Sequence, residues 1–226
     1  MTRFQKRLAL DFVLVSQALF LTSLIISRNA LFISPQRNDG GITSYNFLLF
    51  NTLLAWIPYL IGRVLCEYRK YLQKYVQIFF ILLWLLFFPN AFYVMTDVMH
   101  YLELHNAPSW FDALLLMIHG AHGILVGSIA AVYLVKLYTV KIRERIYSYL
   151  GVAVLNSIGI YTGRFLRFNS WDTLSNPFSI VATIIERYTD VISHPVAYPF
   201  TLIVALFSLS MFCIVDLLSM QGNDHK

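Results

Sequence analysis

Long apolar runs separated by short polar turns dominate the chain. Runs of near-spanning length cover about 8–27, 46–66, 76–96, 113–138, 148–166 and 196–218, each close to the ~20 residues a helix needs to cross the hydrocarbon core of a bilayer. No strand-like alternation competes with them. The pattern predicts an all-α, polytopic helical membrane protein with about six transmembrane helices in a single integral membrane domain, residues 1–226. The first run follows Arg3, Lys6 and Arg7 but is too long for a cleaved leader, so it is expected to be a retained first helix. The fifth run is the least apolar: it holds Asn156, Ser157 and Thr162 and ends in Arg164 and Arg167, groups that need neighbouring helices to satisfy them.

Within these runs a few residues disturb the pattern. Pro58 interrupts the second run and predicts a kink, and Pro89 predicts a break in the third. Gly123, Gly127 and Ala131 make a stripe of small residues on the fourth, where another helix can approach closely. After the fifth run, Asn176-Pro177 has the chemistry of a helix start. Pro177, Val181, Ile184, Ile185, Tyr188 and Ile192 then recur at helical spacing opposite Glu186, Arg187 and Asp190. A short amphipathic helix lying on the outer interface is expected there, with a lid over a site as the alternative.

Composition strengthens the membrane reading. Hydrophobic residues make up 58% of the chain, charged ones only 13%, and the mean hydropathy is +0.63, which excludes an ordinary soluble domain. The net charge of +5 does not indicate nucleic acid, because the basic residues fall in short clusters between apolar runs. They report orientation instead. With a cytoplasmic N-terminus, only Arg28, Arg37, Arg164, Arg167 and Arg187 of the 17 lysines and arginines lie on outer segments. That bias predicts a multi-pass protein of the cell membrane with both termini cytoplasmic and the lipid bilayer as its obligatory partner. Cys66 and Cys213 stand far apart without partners at redox or metal spacing and are expected to be buried, inert thiols.

Candidate chemistry concentrates at one predicted membrane level. In FPNAFYVMTDVMH, residues 88–100, Asn90, Tyr93, Asp97 and His100 stand three, four and three apart and share one face of a helix resuming after Pro89. The opposing stretch GRFLRFNSWD, residues 163–172, supplies Arg164, Arg167, Asn169, Trp171 and Asp172. Glu103, His105, Asp112, His119 and His122 join the cluster, whereas on the inner side Asp11 and Asp216 are expected to reach water at helix ends. Ionisable groups inside a membrane are costly unless paired or functional.

Three chemistries fit the cluster. Arg164 and Arg167 paired with Asp97 and Asp172 would be helix-packing glue, with Trp110 and Trp171 anchored at headgroup level. Alternatively the two arginines, with Asn90, Tyr93, Asn169, Trp171 and Asp172, would bind an anionic lipid-linked or envelope substrate while Asp97 and His100 act as base and acid. No Ser or Cys nucleophile motif accompanies them, and no cofactor is assigned. The third chemistry is a divalent metal held by Asp97, His100, His119 and His122, although HGAHG lacks the glutamate and the histidine spacing of a zinc-protease helix. A small-solute transporter is a further class. Whether the protein is an enzyme stays open at this level.

FPNAFYVMTDVMH, the SWFD of residues 109–112 and GIYTGRFLRFNSWD together resemble the paired signatures of a bacterial multi-pass family known as domain of unknown function 1361. The likeness runs from about Leu54 to Asn176. It implies a helical membrane protein of about six spans. It also implies that Pro89, Asn90, Tyr93, Thr96, Asp97, His100 and Asp112 are signature positions, as are Gly163, Arg164, Arg167 and the run from Asn169 to Asp172. Phe92 departs from the family pattern, in which proline is expected at that position.

Overall fold

The structure, a computed structural model, describes residues 3–31, 46–98 and 110–221. Eight α-helices and one 3-10 turn make up the described residues: α1 (Arg3–Leu31), α2 (Asn46–Tyr68), α3 (Lys74–Tyr93) with the 3-10 turn Val94–Asp97, α4 (Trp110–Tyr138), α5 (Ile142–Phe165), α6 (Asp172–Ser175), α7 (Pro177–Thr189) and α8 (Ala197–Gln221). Five stretches are long and apolar enough to cross a membrane: Arg7–Arg28, Asn46–Tyr68, Lys74–Asp97, Trp110–Tyr138 and Ala197–Met220. The chain is therefore an all-helical integral membrane protein. The fifth predicted run does form a 24-residue helix, α5, but Arg143, Glu144 and Arg145 at its start and Asn156, Ser157 and Thr162 within it keep it outside that apolar group.

α4 is the central helix. In its most apolar stretch 72% of residues are buried, against 17% in α1, which leans on the outside of the bundle. The stripe of small residues explains how α4 gets so close to α3. A Cβ on Gly123 would collide with the Ala91 carbonyl, and one on Gly127 would lie 2.8 Å from both the Ala91 Cβ and the Phe92 ring. α3 in turn has two working faces. Trp84, Phe88 and Phe92, four residues apart, are buried; Phe88 and Phe92 meet Phe212 of α8, and Trp84 and Phe88 stack with centroids 4.2 Å apart. The other face, carrying Leu85, Pro89 and Tyr93, turns toward α5.

The packing revises several expectations. Pro89 does not break α3: the helix runs through it to Tyr93 and only then tightens into the 3-10 turn. The proline ring sits on Gly159 of α5, whose missing Cβ leaves room for it, so the ring that would disturb a lone helix becomes a packing knob. Pro58 lies buried inside α2, which runs through it from Asn46 to Tyr68. Arg28, expected in the first outer loop, belongs to α1, is buried, and pairs with Asp112 through Nε–Oδ1 at 2.9 Å and Nη2–Oδ2 at 3.1 Å. α7 ends at Thr189, short of Ile192, and Asn176 caps it without a side-chain hydrogen bond.

The ion pairs define the two ends of the bundle. At one end, Asp97 follows α3 and meets the start of α2 and the end of α5. At the other, Asp216 near the end of α8 takes Lys136 of α4 and Arg145 of α5, while Asp11 of α1 takes Tyr59 and Arg63 of α2. This corrects the expectation that Asp11 and Asp216 simply reach water. Asp216 is only 5% exposed, because two helices converge on it with cations.

Candidate functional site

The 3-10 turn aims Asp97 inward, and its carboxylate is held from two sides. Oδ1 accepts a hydrogen bond from Arg164 Nη2 at 2.7 Å, and Oδ2 accepts one from Asn51 Nδ2 at 2.8 Å. The Arg164 guanidinium also donates to Thr96 Oγ1 from Nε at 2.9 Å and Nη2 at 2.7 Å, and it lies 4.4 Å from the centre of the Tyr93 ring. The Arg164 side chain is 8% exposed and that of Asp97 1%. Gly163 makes this approach workable, since a Cβ there would press on the Tyr93 ring at 3.2 Å. The sequence cluster thus becomes a clamp joining α2, α3 and α5.

Beside the clamp lies a cavity of about 740 Å³ between α2, α3, α5 and α7. Its polar side is formed by Asn51, Asn90, Tyr93, Asp97, Asn169 and Ser170; Leu54, Leu85, Leu155, Ile158, Ile180 and Ile184 are among its apolar walls. Asn90 Nδ2 donates to the Phe87 carbonyl and to Ser170 Oγ, both at 3.0 Å, which ties α3 to the segment after α5. That segment can reach back because Arg167 adopts φ 59° and reverses the chain at the helix end, a left-handed conformation that glycine fills more cheaply. Asp172 accepts from the backbone N–H of Asn169 at 2.6 Å and from its amide at 3.3 Å, stabilising the turn that presents Asn169 and Ser170.

The candidates named from sequence therefore have different situations. Asn90, Tyr93, Asp97 and Asn169 line the cavity; Arg164 stands behind Asp97 and does not line it. Arg167 is exposed, and among the described residues no carboxylate pairs with it. Trp171, 47% exposed, packs edge-on against Phe50 with centroids 6.3 Å apart, and Asp172 serves the turn. His100, together with Glu103 and His105, lies outside the described residues.

The two histidines of α4 are buried and bonded. His119 Nδ1 meets the Leu115 carbonyl at 2.8 Å. The Trp56 indole can only donate, so it gives its N–H to His122 Nε2 at 3.2 Å, leaving the protonated Nδ1 for Gln17 Oε1 at 3.1 Å. That arrangement links α2, α4 and α1. It occupies both His122 nitrogens, and a metal there would have to displace one of these bonds. Among the described residues no three of His, Cys, Asp or Glu gather as a metal-holding group. Cys66 and Cys213 are free and half-buried rather than fully buried.

Asn51, Thr96 and Ser170 complete the site. Asn51 did carry a signal, an amide inside an apolar run, but only the helix pairing shows that it faces Asp97.

No curated protein and no solved structure matches the chain. A family model described as "Protein of unknown function (DUF1361)" matches residues 50–213, which takes in α2 from Phe50 onward, the clamp, the cavity and most of α8. Over that stretch, and on the resemblance carried by residues 88–100 and 163–172, the chain belongs to the DUF1361 family.

Proposed function

We propose that this protein binds a membrane amphiphile, with the polar head in the cavity at the Asp97 end and the hydrocarbon chain along the Leu and Ile walls. One observation carries the reading: a single cavity of about 740 Å³ joins a polar side to apolar walls within an apolar helix bundle. In this reading α5 is the sixth span, α7 lies at the interface, and the Asp97 end faces outward across the cytoplasmic membrane. The lysine and arginine distribution supports that orientation. Binding is favoured over acid–base catalysis by Asp97, because both of its oxygens already accept hydrogen bonds. A small-solute transporter draws less support, since the carboxylates at the Asp216 end are spent on neighbouring cations.

The test is the lipid that stays with the protein. Native mass spectrometry of detergent-extracted protein is expected to show one retained amphiphile, and Leu155→Trp, which fills the cavity, is expected to lose it while keeping the helical circular dichroism. Wild-type protein that carries nothing, under conditions where added lipids also fail to bind, ends the proposal. A second reading, a structural subunit in which the clamp is only glue, is favoured by the way Arg164 satisfies Thr96, Asp97 and the Tyr93 face at once. It predicts that Leu155→Trp has no consequence beyond stability.

A further inference from the structure

We infer that the head held in this cavity is uncharged and rich in hydroxyls, a glycosyl or glycerol head rather than a phosphate or an ammonium. The inference rests on the amphiphile-binding reading above and names its substrate class.

Charge decides first. Among the described residues, Asp97 is the only carboxylate on the cavity lining, and no lysine, arginine or histidine lines it. Arg164 already neutralises Asp97 at 2.7 Å from the far side. A phosphate entering the cavity would sit against a carboxylate with the cation behind it, leaving the anion without a countercharge in a low-dielectric site. An ammonium would have to compete with a buried arginine for the same oxygens. Of the two arginines expected to hold an anion, Arg164 is engaged behind Asp97 and Arg167 is exposed.

The hydrogen-bonding inventory decides second. Hydroxyls both donate and accept, and the lining offers both functions. Among the described residues, the Tyr93 hydroxyl makes no hydrogen bond, and the Ser170 hydroxyl accepts from Asn90 while keeping its own proton to give. The Oδ1 atoms of Asn51 and Asn90 accept nothing there, since both amides are committed through Nδ2. Two donors and two acceptors around a neutral carboxylate–arginine pair make a surface for a polyol, and the aromatic ring of Tyr93 gives its C–H edges a face.

Three probes with the same chain separate the outcomes: dodecyl maltoside, monododecyl phosphate and dodecyltrimethylammonium, titrated into the full-length protein in a polyoxyethylene detergent and read by native mass spectrometry. Monododecanoylglycerol as a fourth arm distinguishes a glycerol from a glycosyl head. The maltoside or the glycerol ester should bind at least roughly tenfold more tightly than the charged probes. Tyr93→Phe, which keeps the ring under Arg164 and removes only the hydroxyl, should weaken that binding by about three- to tenfold without changing the melting temperature appreciably. Phosphate or ammonium binding as tight as the uncharged probes, lost in Leu155→Trp, overturns the inference and leaves the amphiphile reading standing. Failure of every probe to bind overturns both.

Discussion

Asp97 and Asp216 are both buried acidic residues at helix ends, and both meet arginine, yet they sit in different surroundings. Asp216 is enclosed between Lys136 and Arg145, with Lys136 also bonded to Ser219, so the polar groups at that end are used to hold α4, α5 and α8 together. Asp97 is clamped just as firmly by Arg164 and Asn51 but also lines a large cavity. An intramembrane ion pair is therefore not by itself a sign of a site. The sign is a paired group that also faces space a ligand can fill, as Asp97 does.

Breaking each pair should separate the two roles. The largest loss is expected from Asp216→Leu, which leaves two cations without their shared carboxylate; removing one side of a buried pair costs about 3–5 kcal/mol. Thermal unfolding in detergent should show it as a large fall in melting temperature, with little effect on lipid retention in the surviving folded fraction. Arg164→Met should cost less, about 1–3 kcal/mol, because Asn51 still donates to Asp97 and water in the cavity can solvate the exposed carboxylate. Lipid retention should fall together with that stability. Equal losses at the two positions would erase the distinction drawn between the ends.

Arg167→Gly should move in the opposite direction. Glycine takes the left-handed conformation at φ 59° without a Cβ penalty, so a gain of about 0.5–1 kcal/mol is expected with amphiphile binding unchanged. A more stable variant that has lost binding would restore Arg167 to the site. The smallest effect belongs to Asp190, an exposed acid in the link between α7 and α8. Hydrogen bonds from Ser193 hold its carboxyl below the ordinary range, helped by nearby His194. A group with a depressed folded pKa contributes above its unfolded value and loses that contribution as the pH falls, so the link should loosen only below pH ~4. Acid-induced exchange at the backbone N–H of Ser193, absent in the bundle core, is the readout; loosening already near neutral pH would refute it.

Much of the fold was legible in one dimension because bilayer thickness imposes a length on every span. The positions of α2, α3, α4 and α8 follow from run length and apolarity alone. The small stripe at Gly123 and Gly127 also announced a close helix contact, since only a missing side chain lets two backbones approach so nearly. The reach of sequence ended at α5, whose charged start and polar interior make its apolarity ambiguous, and at Pro89, read as a break because the glycine that receives its ring lies 70 residues away at Gly159.

For the site, chemistry and placement divide in the same way. The residue types at 88–100 and 163–172 were enough to place an acid, an amide, a phenol and two arginines near one end of the helix bundle, because the run lengths set the position of each along its helix. Which arginine meets the acid, that Asn51 shares it, and that Arg28 goes to Asp112 instead were decided only when helices distant in sequence packed side by side. The cavity is the clearest case. Run length and helical spacing locate side chains along an axis and around it, but an empty volume is a property of the distances between axes, and those exist only in the assembled bundle.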